Sequence, residues 1–321
     1  MNHRGKVFKI LLYVLAAAAA VILLFLLCKE VREMSNGSEA MPMGNLRGYR
    51  FGEKSLNENF SGDGRYEIPA GKIDRVYIEW HSGGVEVMPC NGNSVILLEK
   101  GAKPITKENR LRYGADDANI AVKYSSDDVT LTEEKSLTVK IPETMKSRLE
   151  VLAAETTSAP VVITGMNPRK LGVKTVSADV SVKECSLKSM DLKTLSGNIT
   201  CEKCKISDGK AETGAGKVNV HGKIGDVYVK TVAGEINIIS DKMPDGFRVE
   251  TVSGDTNLYL GEVKSFAVTY NTGHGDFYSD FKVQREEKSN IYTYRNGHGS
   301  DEHTVSSSSG NFRILKKQAK K

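Results

Sequence analysis

A short motif, Thr-x-Ser-Gly or a close relative of it, recurs at nearly constant spacing through the second half of the chain. Successive threonines are separated by 19, 19, 19, 18, 20 and 21 residues. The seven copies begin at Thr156, Thr175, Thr194, Thr213, Thr231, Thr251 and Thr272, and a last copy, Ser307-Ser-Ser309-Gly310, follows after a gap of 35 residues. A repeat of this length indicates an array of stacked structural units.

Apolar residues keep fixed positions relative to the third residue of the motif. They stand four residues before it, three residues after it and five residues after it, with polar residues between them. The three columns are Ala154, Val173, Leu192, Ala211, Val229 and Val249; Val161, Val180, Ile199, Val218, Ile236 and Thr256; and Ile163, Val182, Cys201, Val220, Ile238 and Leu258. This alternation predicts a strand, a tight turn and a second strand in each unit. A weaker apolar position about ten residues after the motif predicts a third short strand.

One such unit cannot fold alone, because its few apolar side chains do not offset about 1–2 kcal/mol of ordering entropy per residue. Stacked units about 4.8 Å apart share backbone hydrogen bonds and a continuous core. The sequence therefore predicts an all-β fold, a β-solenoid of about 19-residue rungs in which Thr175, Thr194 and Thr213 are vertical neighbours. A propeller would need blades of about 40 residues.

The motif residues have structural roles in this prediction. A small residue at its last position fits a turn that has no room for a side chain or needs a positive φ. Threonines stacked in one column are expected to form a ladder of hydroxyl groups along the rod.

An uninterrupted apolar run at residues 10–28 predicts a transmembrane helix. Its nineteen residues at about 1.5 Å each span about 28 Å, close to the roughly 30 Å core of a bilayer. A cleaved signal peptide would have a shorter run and a closer cleavage site than Ser38-Glu39-Ala40, which lies twelve residues beyond the run. Cys28 would suit a lipoprotein anchor, but Leu27 stands where that signal needs a small residue.

Flanking charge predicts the orientation of this helix. Three basic residues and no acid precede the run, namely Arg4, Lys6 and Lys9. Two basic residues follow it, interleaved with two acids. The positive-inside rule therefore predicts a single-pass protein of the cell membrane, with a cytoplasmic N-terminus and an extracytoplasmic C-terminal domain.

Composition divides the chain into six regions. A polar segment after the helix is typical of a stalk, and short alternating strands then begin near residue 64 without a clear period. The predicted regions are a cytoplasmic N-terminus (1–9), a transmembrane helix (10–28), a stalk or linker (29–63), a β-rich part (64–148), the β-solenoid repeats (149–315) and a basic tail (316–321).

The sequence predicts no catalytic, cofactor-binding or metal-ligating residues and no cofactor. Metalloprotease, nucleophile-elbow, P-loop and EF-hand patterns are absent. His274-Gly-Asp276 and the segment 298–303, with two histidines, hold possible metal ligands that we interpret as polar turns. Asp179, Glu235 and Asp255 share one turn column, with Asn198 and Lys217 between them, but spread over about 19 Å of stacked rungs. Such a spread predicts a solvated edge.

The cysteines have a structural interpretation in the same register. Cys201-x-x-Cys204 resembles half of a zinc site or a redox pair, but no second pair completes it. Cys201 lies in an apolar column, which predicts a core thiol. Cys185 and Cys204 occupy equivalent positions on adjacent rungs, within disulfide range, so an inter-rung disulfide is a hypothesis for an exported domain.

Several segments carry a family resemblance. These are residues 139–142 (Val-Lys-Ile-Pro), 149–151 (Leu-Glu-Val), the rungs from 156, residues 78–87 (IEWHSGGVEV) and residues 309–314 (SGNFRI). Over about residues 64–315 the chain resembles the bacterial "putative adhesin" β-strand-repeat family of unknown function. The resemblance implies a role in surface adhesion. It also implies an association with cell-envelope stress systems of Gram-positive bacteria. It carries over no catalytic residues.

The predicted function is a non-catalytic, membrane-anchored extracytoplasmic β-repeat module. It would act as an adhesin or envelope scaffold whose polar β face binds a protein or an anionic wall polymer. The basic tail, residues 316–321, could contact anionic polymers or lipid head groups. The net charge of +5 falls to about +2 without the three N-terminal cations, which argues against a nucleic-acid partner. The alternatives are an accessory sensor or regulator in a cell-envelope stress response and, further off, a carbohydrate-active β-helix enzyme.

Overall fold

The computed structural model describes residues 63–126, 133–261, 263, 265–288, 291–297 and 303–317. The predicted N-terminus, the transmembrane helix at residues 10–28 and nearly all of the linker lie outside these residues, as do residues 318–321 of the basic tail. The described part holds 23 strands and one short helix, α1 (Glu143–Lys146). The prediction of an all-β fold is therefore confirmed for this part of the chain.

The strands follow one another at short intervals, as the alternating pattern predicts. In chain order they are β1 (Arg65–Pro69), β2 (Arg75–Trp80), β3 (Gly83–Cys90), β4 (Ser94–Gly101), β5 (Arg112–Ala115), β6 (Asn119–Lys123), β7 (Lys135–Pro142), β8 (Val151–Thr156), β9 (Val161–Thr164), β10 (Lys170–Thr175), β11 (Val180–Lys183), β12 (Ser186–Thr194), β13 (Ile199–Thr213), β14 (Val218–Thr231), β15 (Ile236–Ser240), β16 (Gly246–Thr251), β17 (Thr256–Leu260), β18 (Phe266–Thr272), β19 (Phe277–Ser279), β20 (Gln284–Lys288), β21 (Ile291–Asn296), β22 (His303–Ser307) and β23 (Phe312–Lys316).

Most of these strands belong to one of two parallel ladders. The first ladder runs in the order β6, β2, β8, β10, β12, β13, β14, β16, β22 and β18. The second ladder runs in the order β7, β3, β9, β11, β13, β14, β15, β17, β23 and β19. Each coil gives one strand to each ladder, so the described residues build ten rungs of a β-solenoid. A short third ladder joins residues 186–187, 205–206 and 223–224, where the sequence predicts a third strand.

The register follows the motif. Thr175 lies opposite Thr194, which lies opposite Thr213, so the predicted vertical column is confirmed. Every residue of the three predicted apolar columns is at most 1% exposed. Because alternate side chains of a strand point to opposite faces, these columns form the core and the residues between them form the outer surface.

The threonine hydroxyls explain why the motif is required, and their role differs from the predicted ladder. The hydroxyl of Thr213 accepts a hydrogen bond from the Gly216 amide at 3.1 Å and donates one to the Gly197 carbonyl of the rung below at 2.9 Å. Thr194 repeats this pattern one rung earlier. The prediction of hydroxyl-to-hydroxyl contacts is wrong, because each hydroxyl satisfies buried backbone groups at the corner.

The glycine of the motif is needed for space and not for a left-handed backbone. A Cβ at Gly216 would collide with the carbonyl oxygen of Gly197, and a Cβ at Gly234 would collide with that of Gly216. Corners of successive rungs therefore stack backbone on backbone, in agreement with the first of the two predicted reasons.

The order of rungs in the stack departs from their order in the chain at both ends. The rung of β2 and β3 lies between the rung of β6 and β7 and that of β8 and β9. The rung of β22 and β23 lies between that of β16 and β17 and that of β18 and β19, so Ser307 pairs with both Thr251 and Thr272. Parallel stacking thus extends beyond residues 149–315 into the region that shows no period in sequence.

Antiparallel strands finish the stack. Strand β4 pairs with β7 and β1 pairs with β4, while β5 pairs with β6. At the opposite end β21 pairs with β18 and β20 pairs with β21. Such strands cover the open edges of the terminal rungs, which would otherwise invite pairing with further chains.

Candidate functional site

The outer face of the second ladder carries a regular column of polar side chains. Six side chains occupy one register column on successive rungs: Ser181, Thr200, Asn219, Asn237, Asn257 and Arg313. Five steps of about 4.8 Å make this column about 24 Å long. We call it the polar column.

Hydrogen bonds fix the side chains of the polar column on its later rungs. The side-chain amide of Asn237 donates to Asn219 Oδ1 at 2.9 Å, and the side-chain amide of Asn257 donates to Asn237 Oδ1 at 3.0 Å. The Arg313 guanidinium donates to Asn257 Oδ1 at 3.3 Å. These four side chains are therefore ordered before any partner binds, which lowers the entropy cost of binding.

The turn column that flanks the polar column holds the acids singled out in the sequence. The Asn198 amide donates to Asp179 at 2.7 Å, Lys217 pairs with Glu235 at 3.2 Å, and Arg313 pairs with Asp255 at 2.7 Å. The three acids share this column as predicted, and each one binds a group of a neighbouring rung. Within the described ranges, no cluster of three His, Cys, Asp or Glu residues is arranged to hold a metal ion.

The electrostatics of Asp255 reflect this pairing. Partial burial raises its pKa, but hydrogen bonds from Asn311 and the Arg313 guanidinium outweigh burial and hold the pKa below its ordinary value. Asp255 is consequently ionised at neutral pH and forms an ion pair with Arg313 on the neighbouring rung.

Apolar side chains stand two residues further along the same strands. Ile239 lies opposite Tyr259, and Tyr259 lies opposite Leu315. All three are half-buried on the outer face. The second ladder therefore presents a fixed polar column beside an apolar stripe, a combination found in protein–protein interfaces.

Three of the four cysteines in the described part of the chain lie in the core, and Cys90 is half-buried. Cys201 is 1% exposed, which confirms its predicted burial. Cys185 and Cys204 are also buried on adjacent rungs, but both are thiols, so the hypothesised disulfide is not formed in this structure. The thiols donate instead to the carbonyl oxygens of Lys183 and Glu202, at 3.2 and 3.4 Å. A hydrogen bond with Cys204 and burial raise the pKa of the Cys185 thiol.

The histidines in the described ranges do not converge on a site. His274 is exposed in its turn, as predicted, and its amide donates to the Ser308 carbonyl at 3.1 Å. His303 is buried, stacks on Phe247 at 5.1 Å and accepts a hydrogen bond from the Phe247 amide through Nδ1. His303 thus supports the core, and His298 and Asp301 lie outside the described residues.

A buried ion pair near the first rungs is a feature that the sequence does not reveal. Lys135 Nζ lies 2.6 Å from Glu99 Oε1, and both side chains are at most 1% exposed. The ammonium group also donates to the Asn109 carbonyl at 2.6 Å and lies 4.4 Å from the ring centre of Tyr124. Glu99 accepts a further hydrogen bond from the Leu111 amide at 2.7 Å. With every charge paired, this cluster joins the loop after β4 to the core.

A family model described as Toastrack DUF4097 matches residues 73–315. This match confirms the resemblance seen in the sequence. None of the curated proteins matches the chain in sequence. Among the described residues, no helix has the length and apolar character needed to cross a bilayer.

Solved structures that are similar to the chain include the following three. A "putative cell adhesion protein" from Clostridium sporogenes is 14% identical, with a TM-score of 0.28, over 79% of this chain and 98% of that one. A "putative adhesin" from Bacteroides fragilis is 9% identical, with a TM-score of 0.44, over 79% and 96%. A "putative lipid binding protein" from Parabacteroides distasonis is 12% identical, with a TM-score of 0.43, over 83% and 98%. At these TM-scores the similarity supports no functional assignment.

Proposed function

The chain belongs to the Toastrack DUF4097 family, and from that premise we propose that it is a non-catalytic, membrane-anchored extracytoplasmic β-repeat module. In this proposal it serves as an adhesin or envelope scaffold. The observation that carries the proposal is the polar column, about 24 Å long, whose last four side chains are hydrogen-bonded to one another. It lies beside the apolar stripe of Ile239, Tyr259 and Leu315. Such a surface suits an extended partner, either a protein or a wall polymer.

The membrane anchor in the proposal is the apolar run at residues 10–28, with its cationic N-terminal flank. It would place the solenoid outside the membrane. Protease added to intact protoplasts should then digest the solenoid and spare a short N-terminal tag. Survival of the solenoid in intact protoplasts, with digestion only after lysis, would contradict this orientation.

A crosslinking experiment tests the binding role. A photoreactive amino acid is placed at Ser181 or Thr200, which point outward from the second ladder, in the full-length chain expressed in its own cells. The matched control position is Glu155, an exposed residue of the first ladder. We expect both second-ladder positions to capture the same partner and the control to capture none.

Two outcomes would refute the proposal. Equal capture from all three positions would show that the polar column does not select a partner. Cleavage of a wall polysaccharide by the purified protein, abolished by one Asp or Glu substitution, would show that the protein is an enzyme.

A further inference from the structure

The third side of the solenoid carries a hollow of about 630 Å³. It lies along the third ladder, at residues 186–187, 205–207 and 222–225, together with the segment 240–245. Its base is apolar, because it is formed by the buried side chains of Leu187, Ile206 and Ile224. The volume falls within the range of small-ligand sites, so the hollow can hold several units of a polymer.

Three lysines line this hollow, and none of them forms an ion pair with a described residue. Lys205 and Lys223 are direct register partners on adjacent rungs, and Lys242 joins them from the next turn of the chain. All three are exposed. By contrast, Lys203 and Lys217, elsewhere on the same coils, are each paired with a glutamate of a neighbouring rung.

The hollow therefore has an excess of positive charge. Asp241 and Asp245 also line it, but Lys317 pairs with Asp241 at 2.6 Å. The ion pair with Lys317 holds the pKa of Asp241 below its ordinary value. Like charges directly opposite each other on neighbouring strands repel, so the Lys205–Lys223 pair is unfavourable in the free protein. An anion placed between them would remove that repulsion.

We propose that this hollow binds a linear phosphodiester polymer, whose phosphates lie against Lys205, Lys223 and Lys242. The inference rests on the proposed function, since it names one partner of the exported module. Lys205 and Lys223 follow one another along the stack axis, and Lys242 lines the same hollow from the next coil. A chain of anions lying along the hollow would therefore meet all three cations. Ser186 and Ser207 add hydroxyl donors for phosphate oxygens.

The residue types suit phosphate. Lysine is a common phosphate ligand that binds as a point charge on a flexible stem, and serine hydroxyls donate hydrogen bonds to phosphate oxygens. The hollow has lysines and serines in its wall and no arginine. The apolar base suits the carbon units between successive phosphates.

The test is a titration of the full-length protein in neutral detergent micelles with short-chain inorganic polyphosphate. Its internal phosphates carry one charge each, as phosphodiesters do. The variant Lys205→Gln/Lys223→Gln/Lys242→Gln should lose about 100-fold in affinity, because each lysine near an anionic surface contributes about fivefold. It should also show a weaker salt dependence, as fewer counterions are released.

The matched control removes the same charge elsewhere. Its three substitutions, all at exposed positions away from the hollow, are Lys72→Gln, Lys100→Gln and Lys170→Gln. We expect this control to bind as the unchanged protein does. Circular dichroism should show that both triple variants keep the fold, since they alter only exposed side chains.

Three results would overturn the inference: no binding of polyphosphate, equal losses in the two triple variants, or equally tight binding of polyglutamate. Each can be told apart from failure of the proposed function. If polyphosphate does not bind but Ser181 and Thr200 positions still capture a common partner, only this inference fails. If polyphosphate binds as expected but no partner is captured, the role of the polar column fails instead.

Discussion

Replacing Thr213 by valine should destabilise the solenoid although it conserves side-chain shape. The Thr213 hydroxyl is 3.1 Å from the Gly216 amide and 2.9 Å from the Gly197 carbonyl oxygen, and both glycines are buried. Valine removes both hydrogen bonds and brings no polar group in exchange. Each buried group left without a partner costs about 1–3 kcal/mol, and burial of the new methyl group recovers about 0.8 kcal/mol.

The two groups together cost about 2–6 kcal/mol, so after the gain from the methyl group the expected loss in the free energy of unfolding is about 1–5 kcal/mol. The free energy of unfolding of folded proteins is typically about 5–15 kcal/mol. Urea unfolding of the full-length protein in detergent, followed by circular dichroism, measures it. Hydrogen exchange should also accelerate most in the rungs that contain Thr194 and Thr213, since each rung contacts only its neighbours.

Thr200→Val is the matched control for this experiment. Thr200 is on the same strand, points outward and is only half-buried, so its replacement should change the unfolding free energy by less than about 0.5 kcal/mol. If the two valine variants are equally stable, the hydroxyl does not hold the corner, and the explanation of the motif fails.

Three further predictions concern the corner glycine, the buried ion pair and Asp255. Gly216→Ala should prevent neighbouring corners from stacking and lower the unfolding midpoint, whereas Gly84→Ala, which has open space around its Cβ, should not; equal midpoints would refute the steric argument. Lys135→Met should cost about 3–5 kcal/mol in denaturant unfolding because it leaves Glu99 charged and buried. Lys103→Met, at an exposed pair, should leave stability nearly unchanged, and similar losses would contradict the burial argument. The pKa of Asp255 is lowered by folding, so its stabilising effect is full above the unfolded-state pKa of about 3.9 and is lost as the pH falls through the lower folded-state pKa. The stability difference between the unchanged protein and Asp255→Asn should therefore shrink below about pH 4, and a difference independent of pH would refute this.

The register of the solenoid could be predicted because it repeats. A wrong register assigned to one rung would disagree with the register of the rungs on either side. The column through Val173, Leu192 and Ala211 therefore fixes the pairing of the central strands. The fate of Cys201 followed from its column for the same reason. The sequence was equally informative about the turn column of Asp179 and its neighbours.

The corner that follows the second ladder could not be predicted, because its backbone conformation is not marked by a characteristic residue type. Glu184 and Lys203 both adopt a positive φ of 53°, a conformation for which a sequence normally supplies glycine. Gly165 fills the equivalent corner one rung earlier, with a φ of 66°. Glutamate and lysine do not indicate a positive φ in a sequence, so the column formed by Gly165, Glu184 and Lys203 was not predicted.

The buried Lys135–Glu99 pair was missed for another reason. Its partners are 36 residues apart and belong to strands β7 and β4, which pair antiparallel outside the repeat. Glu99 continues an alternating strand and Lys135 begins one, so each resembles a solvated strand residue. Only the tertiary structure brings them into the core together.

The order of the rungs at the two ends of the stack protects the solenoid against fraying. A solenoid whose first and last rungs were also its first and last segments would lose one rung interface whenever a terminus frayed. Here β2 and β3 near one end of the described chain, and β22 and β23 near the other, each lie between two other rungs. Detaching either of these two rungs breaks pairing on both of its sides, about twice the cost of detaching an outer rung. The rungs left at the outside, those of β6 with β7 and β18 with β19, are tied to the chain at both of their ends and carry the antiparallel strands that cover the edges. Rung order therefore protects the two places at which a linear array is otherwise weakest.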